Sequence, residues 1–258
     1  MSLRSVNEIR MSLSAAPLEA LDALVIQFLD DPRAGVQAAV AVARRRLAAD
    51  EAERTRVFRM MALQSTLHEA GYAVIAGVDE VGRGALAGPV SAAAVVLDVR
   101  THVAGLDDSK RLKPAVRESV AQRVREAAIA ISVAHVTPQR IDALGIAAAN
   151  TLAMRTAIDG LSLSVDHVIA DGLAVDLRIL STFVVGGDRQ CACVAAASVV
   201  AKVDRDALMR ELDGDYPGYG LAANKGYGTA DHLEAIERIG PSPIHRLSFT
   251  PCGQHRLF

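Results

Sequence analysis

Apolar positions in the first quarter of the chain recur at helical spacing, and residues 1–72 read helical throughout. "PLEALDALVIQFLD" (17–30) carries one apolar face, with Pro17 suited to a first turn. The stretch from Asp30 to Gly71 opens on a cap-like Asp and Pro32 and ends at a glycine, which predicts one long helix or two short ones. From Tyr72 the texture changes. "YAVIAGVDE" (72–80) and "PVSAAAVVLDV" (89–99) read as strands. Residues 113–130 read as a helix, 130–137 as a third strand, and Pro138 starts a helix running through Ile158. "DHVIADG" (166–172) and "STFVVGGD" (181–188) read as two short buried strands that end in acids, followed by helices over 193–213 and 230–240. A hairpin-like set of strands followed by alternating strands and helices predicts an α/β fold, a mixed sheet flanked by helices. There are no internal repeats.

The chain has 258 residues, enough for one large domain or a domain with an appendage. About half are hydrophobic, yet aromatics are only 3% and Trp is absent, so the core must be built from Ala, Val, Leu and Ile. The net charge of -2 neither supports nor excludes a nucleic-acid partner, because a local basic groove can hide in a neutral total. From Gly240 onward there are His245, Arg246, His255 and Arg256 and no acid. Arg44 to Arg46 could touch phosphates, but a solvated helix face is favoured. Three cysteines, Cys191, Cys193 and Cys252, are few and odd in number, which fits a reducing cytosol. The C-x-C pair lacks the second pair of a zinc site, so buried small residues are expected. No secretory signal is read at Met1, and no segment approaches the ~20 apolar residues of a membrane span.

The most informative stretch is "VIAGVDEVGRGALAGPV" (74–90). Asp79 and Glu80 close an apolar run, and Gly82, Arg83, Gly84 and Gly88 follow. One reading is a dinucleotide fold, with Gly82-x-Gly84-x-x-Ala87 after a strand and Asp107/Asp108 about 20 residues on. Two details oppose it. The acid pair would repel a pyrophosphate, and the glycines lead into strand-like sequence rather than a helix N-terminus. The other reading is a metal site. Neighbours on a strand face opposite ways, so Asp79 and Glu80 share one site only where the strand ends or bends, and the glycines supply a bend. Asp171 and Asp188 end two further strands. Four clustered carboxylates call for a cation, and hard oxygen donors suit Mg²⁺ or Mn²⁺.

The stretch "DEVGRGALAGPV" resembles the signature of bacterial ribonuclease HII, the type 2 ribonuclease H. The resemblance continues through "DDSKRLKPAVRE" (107–118), "AANTLAM" (148–154), "VIADG" (168–172), "GGD" (186–188), "AAASVVAKVDRD" (195–206), "YPGYGLAANKGYGT" (216–229) and "GPSPIHRLSF" (240–249). The N-terminal helices, with "DDPRAGVQ", resemble the extension of a subset of members. The resemblance implies a ribonuclease H-like catalytic domain over 72–258 behind a helical extension over 1–71. It implies an endonuclease that cuts the RNA strand of RNA–DNA hybrids and cuts 5′ of single ribonucleotides in duplex DNA, leaving a 3′-hydroxyl and a 5′-phosphate. The family's four metal-binding carboxylates match Asp79, Glu80, Asp171 and Asp188, which would hold two Mn²⁺ or Mg²⁺ ions. Its glycine-arginine-glycine triplet, which reads the 2′-hydroxyl largely through backbone groups, matches Gly82, Arg83 and Gly84. Its sugar-stacking tyrosine matches Tyr227.

Lys110 and Lys225 are expected to contact phosphate. Lys202 and Arg205 are left open between phosphate and structural acids. His245 could contact substrate or lock the C-terminal segment, and Arg246 is expected to be structural. One departure from the family is Gly186, where a lysine is usual two residues before the fourth acid; weaker binding rather than lost chemistry is expected. A cytoplasmic monomer acting in ribonucleotide removal, without a membrane partner, is the expectation. The alternatives are a non-catalytic hybrid-binding module of the same fold or an NAD-binding enzyme. For the extension, added grip on the duplex and docking of another protein both stay open.

Overall fold

The computed structural model describes residues 4–253, so His255 and Arg256 lie outside the described residues. The chain divides into two compact units, Met1–Arg56 and Val57–Phe258.

The first unit holds α1 (Val6–Ala15), α2 (Leu18–Gln27) and most of α3 (Ala34–Met60). Ser5 and Glu8 form a reciprocal cap at the start of α1, each side chain accepting from the other's backbone N–H. Ile9, Leu13, Leu21, Val25, Val36 and Val40 make a core of their own. Arg44 and Arg45 are exposed as expected. Arg46 is different. Its guanidinium donates to the carbonyls of Leu13, Ser14 and Ala16, so it satisfies the open C-terminal end of α1. The stretch 30–71 becomes one long helix, α3, and one short one, α4 (Ala62–Glu69).

In the second unit five strands form one sheet in the order β3-β2-β1-β4-β5. They are β1 (Ile75–Val81), β2 (Val90–Val96), β3 (Ala130–Val136), β4 (His167–Asp171) and β5 (Ser181–Val184). The first three pair antiparallel, and β4 and β5 join β1 in parallel. One face packs on α6 (Pro138–Leu144) and α7 (Ile146–Asp159). The other packs on α5 (Pro114–Ala127) and α9 (Ala192–Asp215). Small side chains let helix and sheet approach closely. A Cβ at Gly77 in β1 would lie 2.1 Å from the Cys193 carbonyl carbon of α9. Each fully buried Val adds about 1.5–3 kcal/mol, so the Ala/Val/Leu composition suffices without aromatic bulk. All three cysteines are buried and unpaired. Among the described residues no helix is long and apolar enough to cross a membrane.

Several expectations need correction. The helix predicted from Pro138 to Ile158 is broken at Gly145, where φ is +77°. The last strand stops at Val184 and is only half-buried, because it lies at the sheet edge. Asp188 therefore does not end a strand. Gly186 turns the chain left-handed, and Asp188 sits in a short helical turn, α8 (Gly187–Gln190). β1 runs one residue beyond its expected end at Glu80, to Val81, and the expected bend follows at Gly82. That turn leads into β2 rather than a helix, which removes the geometric basis of the dinucleotide reading.

Candidate active site

The sheet gathers the acids. β1 and β4 run parallel, and Asp79 and Asp171 stand one step beyond the paired residues Val78 and Ala170. The α8 turn brings Asp188 alongside: the Gly187 N–H donates to Asp171 Oδ1 at 2.7 Å. Asp79 and Asp188 are each only 4% exposed. Burial, then the charges of Glu80 and Asp171, push the Asp79 carboxyl well above its ordinary range, although a hydrogen bond from Ser198 works the other way. Burial, then the charges of Asp108 and Asp171, raise Asp188, against the pull of Lys110. Like charges are crowded here at a real electrostatic cost.

Cations already present offset part of it. Lys110 Nζ lies 3.5 Å from Asp188 Oδ2. Burial lowers the Lys110 pKa, but Asp188, Asp108 and Asp79 together outweigh burial and leave it raised. Arg83 Nη1 lies 3.3 Å from Glu80 Oε1. Asp79 Oδ1 accepts from the Glu80 N–H. Among the described residues no three acid, histidine or cysteine side chains converge closely enough to hold one ion. The donor set is nonetheless all carboxylate oxygen, the set that suits Mg²⁺ or Mn²⁺.

Beside the acids lies a cleft of about 530 Å³. Glu80, Gly82, Arg83, Gly84, Lys110 and Tyr227 all line it. These come from the end of β1, the turn after it, the loop before α5 and the segment before α11 (Ala230–Ile239). Lys225 is not among the lining residues. Its backbone is left-handed, φ +54°, and its ammonium folds back onto the Ala222 carbonyl of α10 (Leu221–Asn224).

The wall that carries the glycine turn is held from behind by two arginines, both fully buried. Arg246 donates to the carbonyls of Gly82 (2.7 Å), Arg83 (2.8 Å) and Gly88 (3.0 Å). Arg205 donates to Pro89, Lys225 and Ala87. So Arg205 binds carbonyls rather than a structural acid. Lys202 does pair with an acid, Asp206, and also lines the cleft. Gly82 needs its φ of +87°, and a Cβ there would lie 2.2 Å from Arg205 Nε. Tyr227 presents its ring to Arg205, with 5.5 Å from guanidinium carbon to ring centre.

His245 is a lock and does not line the cleft. His232 Nδ1 is 2.9 Å from the Tyr227 carbonyl, which only accepts, so that nitrogen carries the proton. His232 Nε2 then accepts from His245 Nε2, 3.1 Å away, and His245 Nδ1 accepts from the Ser242 N–H at 3.0 Å. An added proton breaks the chain at either ring. Burial, then the neighbouring His232, lower His245 to about 4, and burial lowers His232.

Sequence reasoning missed Ser198 and Ser109, which line the cleft with hydroxyls 3.0 Å apart. The signal was there for Ser198: a lone hydroxyl inside the apolar run "AAASVVA" of α9. Ser109 in the polar "DDSK" carried no such contrast.

Two family models match the chain: ribonuclease HII over residues 76–252 and the ribonuclease HII N-terminal domain over residues 5–68. Solved structures agree in fold. Ribonuclease H2 from Pyrococcus horikoshii OT3 is 25% identical with a TM-score of 0.61, covering 70% of this chain and 96% of its own. Ribonuclease HII from Archaeoglobus fulgidus, solved with PCNA, is 23% identical with a TM-score of 0.58, covering 68% and 95%. Bst-RNase HIII in complex with Mn²⁺ is 19% identical with a TM-score of 0.53, covering 72% and 70%. The chain belongs to the ribonuclease HII family and is an endoribonuclease of the ribonuclease H type.

Proposed function

We propose that this enzyme cuts the RNA strand of RNA–DNA hybrids and nicks duplex DNA 5′ of single embedded ribonucleotides, leaving a 3′-hydroxyl and a 5′-phosphate. The observation that carries the reading is the meeting, in and beside one cleft, of four crowded carboxylates with a glycine-arginine-glycine turn whose Arg83 and Gly84 are exposed and a half-buried tyrosine. Asp79, Glu80, Asp171 and Asp188 would hold two Mg²⁺ or Mn²⁺ ions, whose charge relieves the repulsion among them; Bst-RNase HIII, of the same fold, was solved with Mn²⁺. When bound, such ions supply water activation and leaving-oxygen stabilisation for an in-line displacement.

The protein's own groups do the rest. The backbone of Gly82–Gly84 meets the ribose 2′-hydroxyl, a donor and acceptor that DNA lacks. Tyr227 stacks on the sugar next to the scissile bond. Lys110, whose side chain is 76% exposed, reaches a backbone phosphate without reading sequence. Lys225 would need to swing off the Ala222 carbonyl to do the same. Gly186 provides no cation where the family usually has one, and Arg189, 4.0 Å from Asp188, stands close enough to serve. The functional division we propose is an extension over 1–71 and a catalytic domain over 72–258, in line with the spans of the two family models. The enzyme would act as a cytoplasmic monomer in ribonucleotide removal.

The test is cleavage of a labelled duplex carrying one ribonucleotide, beside an all-DNA control, with Mg²⁺, Mn²⁺ or chelator. A metal-dependent nick 5′ of the ribonucleotide, absent from the control, is expected. Binding to the hybrid without a cut under any condition would replace this reading by a non-catalytic binding module.

A further inference from the structure

Two buried guanidiniums stand behind the glycine turn with no carboxylate of their own among the described residues. Asp206, which acts on Arg205 from nearby, is paired with Lys202 and Arg117. Asp142, which acts on Arg246, accepts instead from the Leu247 and Ser248 backbone and the Ser248 hydroxyl. Burying an unpaired cation is expensive unless its donors are saturated. Arg246 meets that need with three backbone carbonyls, two of them those of Gly82 and Arg83.

This choice of partners has a geometric consequence. Both peptides are trans, and in a trans peptide the C=O of one residue and the N–H of the next point in opposite directions. With the Gly82 and Arg83 carbonyls drawn inward to Arg246, the N–H groups of Arg83 and Gly84 must point outward. Both residues are exposed and line the cleft. Among the described residues neither N–H has a hydrogen-bond partner. Two adjacent backbone donors thus face the cleft side by side, with Glu80 and Tyr227 on the same lining.

We infer that Arg246 is a positioning residue for ribose recognition: its fork fixes two peptide planes so that the Arg83 and Gly84 N–H groups are preset as donors to the sugar's 2′-oxygen. The inference rests on the reading of the turn as the ribose sensor. Only a planar fork can do this. A lysine in the same place has one nitrogen, which cannot span three carbonyls in a fixed plane. Phe249 lies against the guanidinium, 5.2 Å from ring centre to its carbon, and keeps it in line.

The experiment compares the affinities of full-length wild type and Arg246→Lys for two duplexes, identical except for one ribonucleotide. Ca²⁺ replaces Mg²⁺ so that nothing is cut. Wild type is expected to prefer the ribonucleotide duplex, and Arg246→Lys is expected to lose that preference by tenfold or more. The loss should be confined to the ribonucleotide duplex, whereas a merely structural role would weaken both duplexes alike. A folded Arg246→Lys with the wild-type ratio, or with both affinities reduced equally, overturns the inference. A wild type without preference overturns the underlying reading of the turn, and the inference with it. If Arg246→Lys shows no cooperative melt, Phe249→Leu decides. It should lower the ratio about threefold, and an unchanged ratio overturns the inference. In labelled wild type, the Arg83 and Gly84 amide resonances should shift with the ribonucleotide duplex and stay in place with all-DNA.

Discussion

The two sides of the cleft are built on opposite principles. On the acid side, Asp79, Glu80, Asp171 and Asp188 repel one another, and burial adds to the cost at Asp79 and Asp188. Their ties are a lysine at 3.5 Å, arginines at 3.3 Å and 4.0 Å, the Ser198 hydroxyl and two backbone N–H groups. On the glycine side, two fully buried arginines spend their donors on six backbone carbonyls, and a histidine pair holds Tyr227 from beneath. In the function proposed above, one side stays strained until a cation arrives. The other is preset before any ligand arrives. Chemistry and recognition are therefore separable by mutation, and each side can be broken without the other.

The largest effect belongs to the acid side. Asp79→Asn should lower cleavage by about 10³-fold or more, on the order of 4 kcal/mol in the barrier. The fold should not suffer. Because the Asp79 pKa is raised in the fold, the protonated form is the one that folding favours, and stability is lost as pH rises through that value. Asparagine removes that loss, so the melting temperature in chelator should rise at neutral pH. Calorimetry beside a cleavage assay checks both, and a sharp drop in melting temperature would contradict the picture. The glycine side should behave the other way. Gly82→Ala places a methyl on Arg205 at a left-handed φ, and about 2–4 kcal/mol of stability should go, measured by urea unfolding.

The smallest effect concerns the histidines behind Tyr227. Their pKa values are depressed in the fold, so their contribution to stability is complete above the unfolded value near 6.5. It falls as pH drops toward the His245 value of about 4. Unfolding free energies between pH 7 and pH 4.5 should decline for wild type by roughly 2–3 kcal/mol more than for His245→Gln. Equal slopes would show that the pair does not carry the proton linkage.

The sequence displayed the acid side well and the glycine side poorly. Asp79, Glu80 and Asp171 were legible because acids at the end of an apolar β-run are conspicuous, and β1, β2 and β4 fall where their patterns predict. Asp188 was found, but on the wrong element, because "STFVVGGD" gives no sign that Gly186 turns left-handed. The helix break at Gly145 stayed hidden for a similar reason: one glycine inside a helical pattern is common enough to pass. Arg205 and Arg246 were the hardest. Nothing in "VDRD" or "IHRL" announces that a charged side chain is fully buried, because all but one of the carbonyl partners, that of Lys225, lie more than 100 residues away. Backbone acceptors leave no trace in composition.

The contrast between the two sides is tested most directly by titrating Mg²⁺ into the substrate-free protein and following backbone amide resonances. The account predicts saturable shifts at Asp79, Glu80, Asp171 and Asp188, whose carboxylates draw together around the ion, with the Arg83, Gly84 and Tyr227 amides nearly still. Shifts of equal size on the glycine side, or no saturable change at the acids, would contradict the claim that only one side waits for its cation.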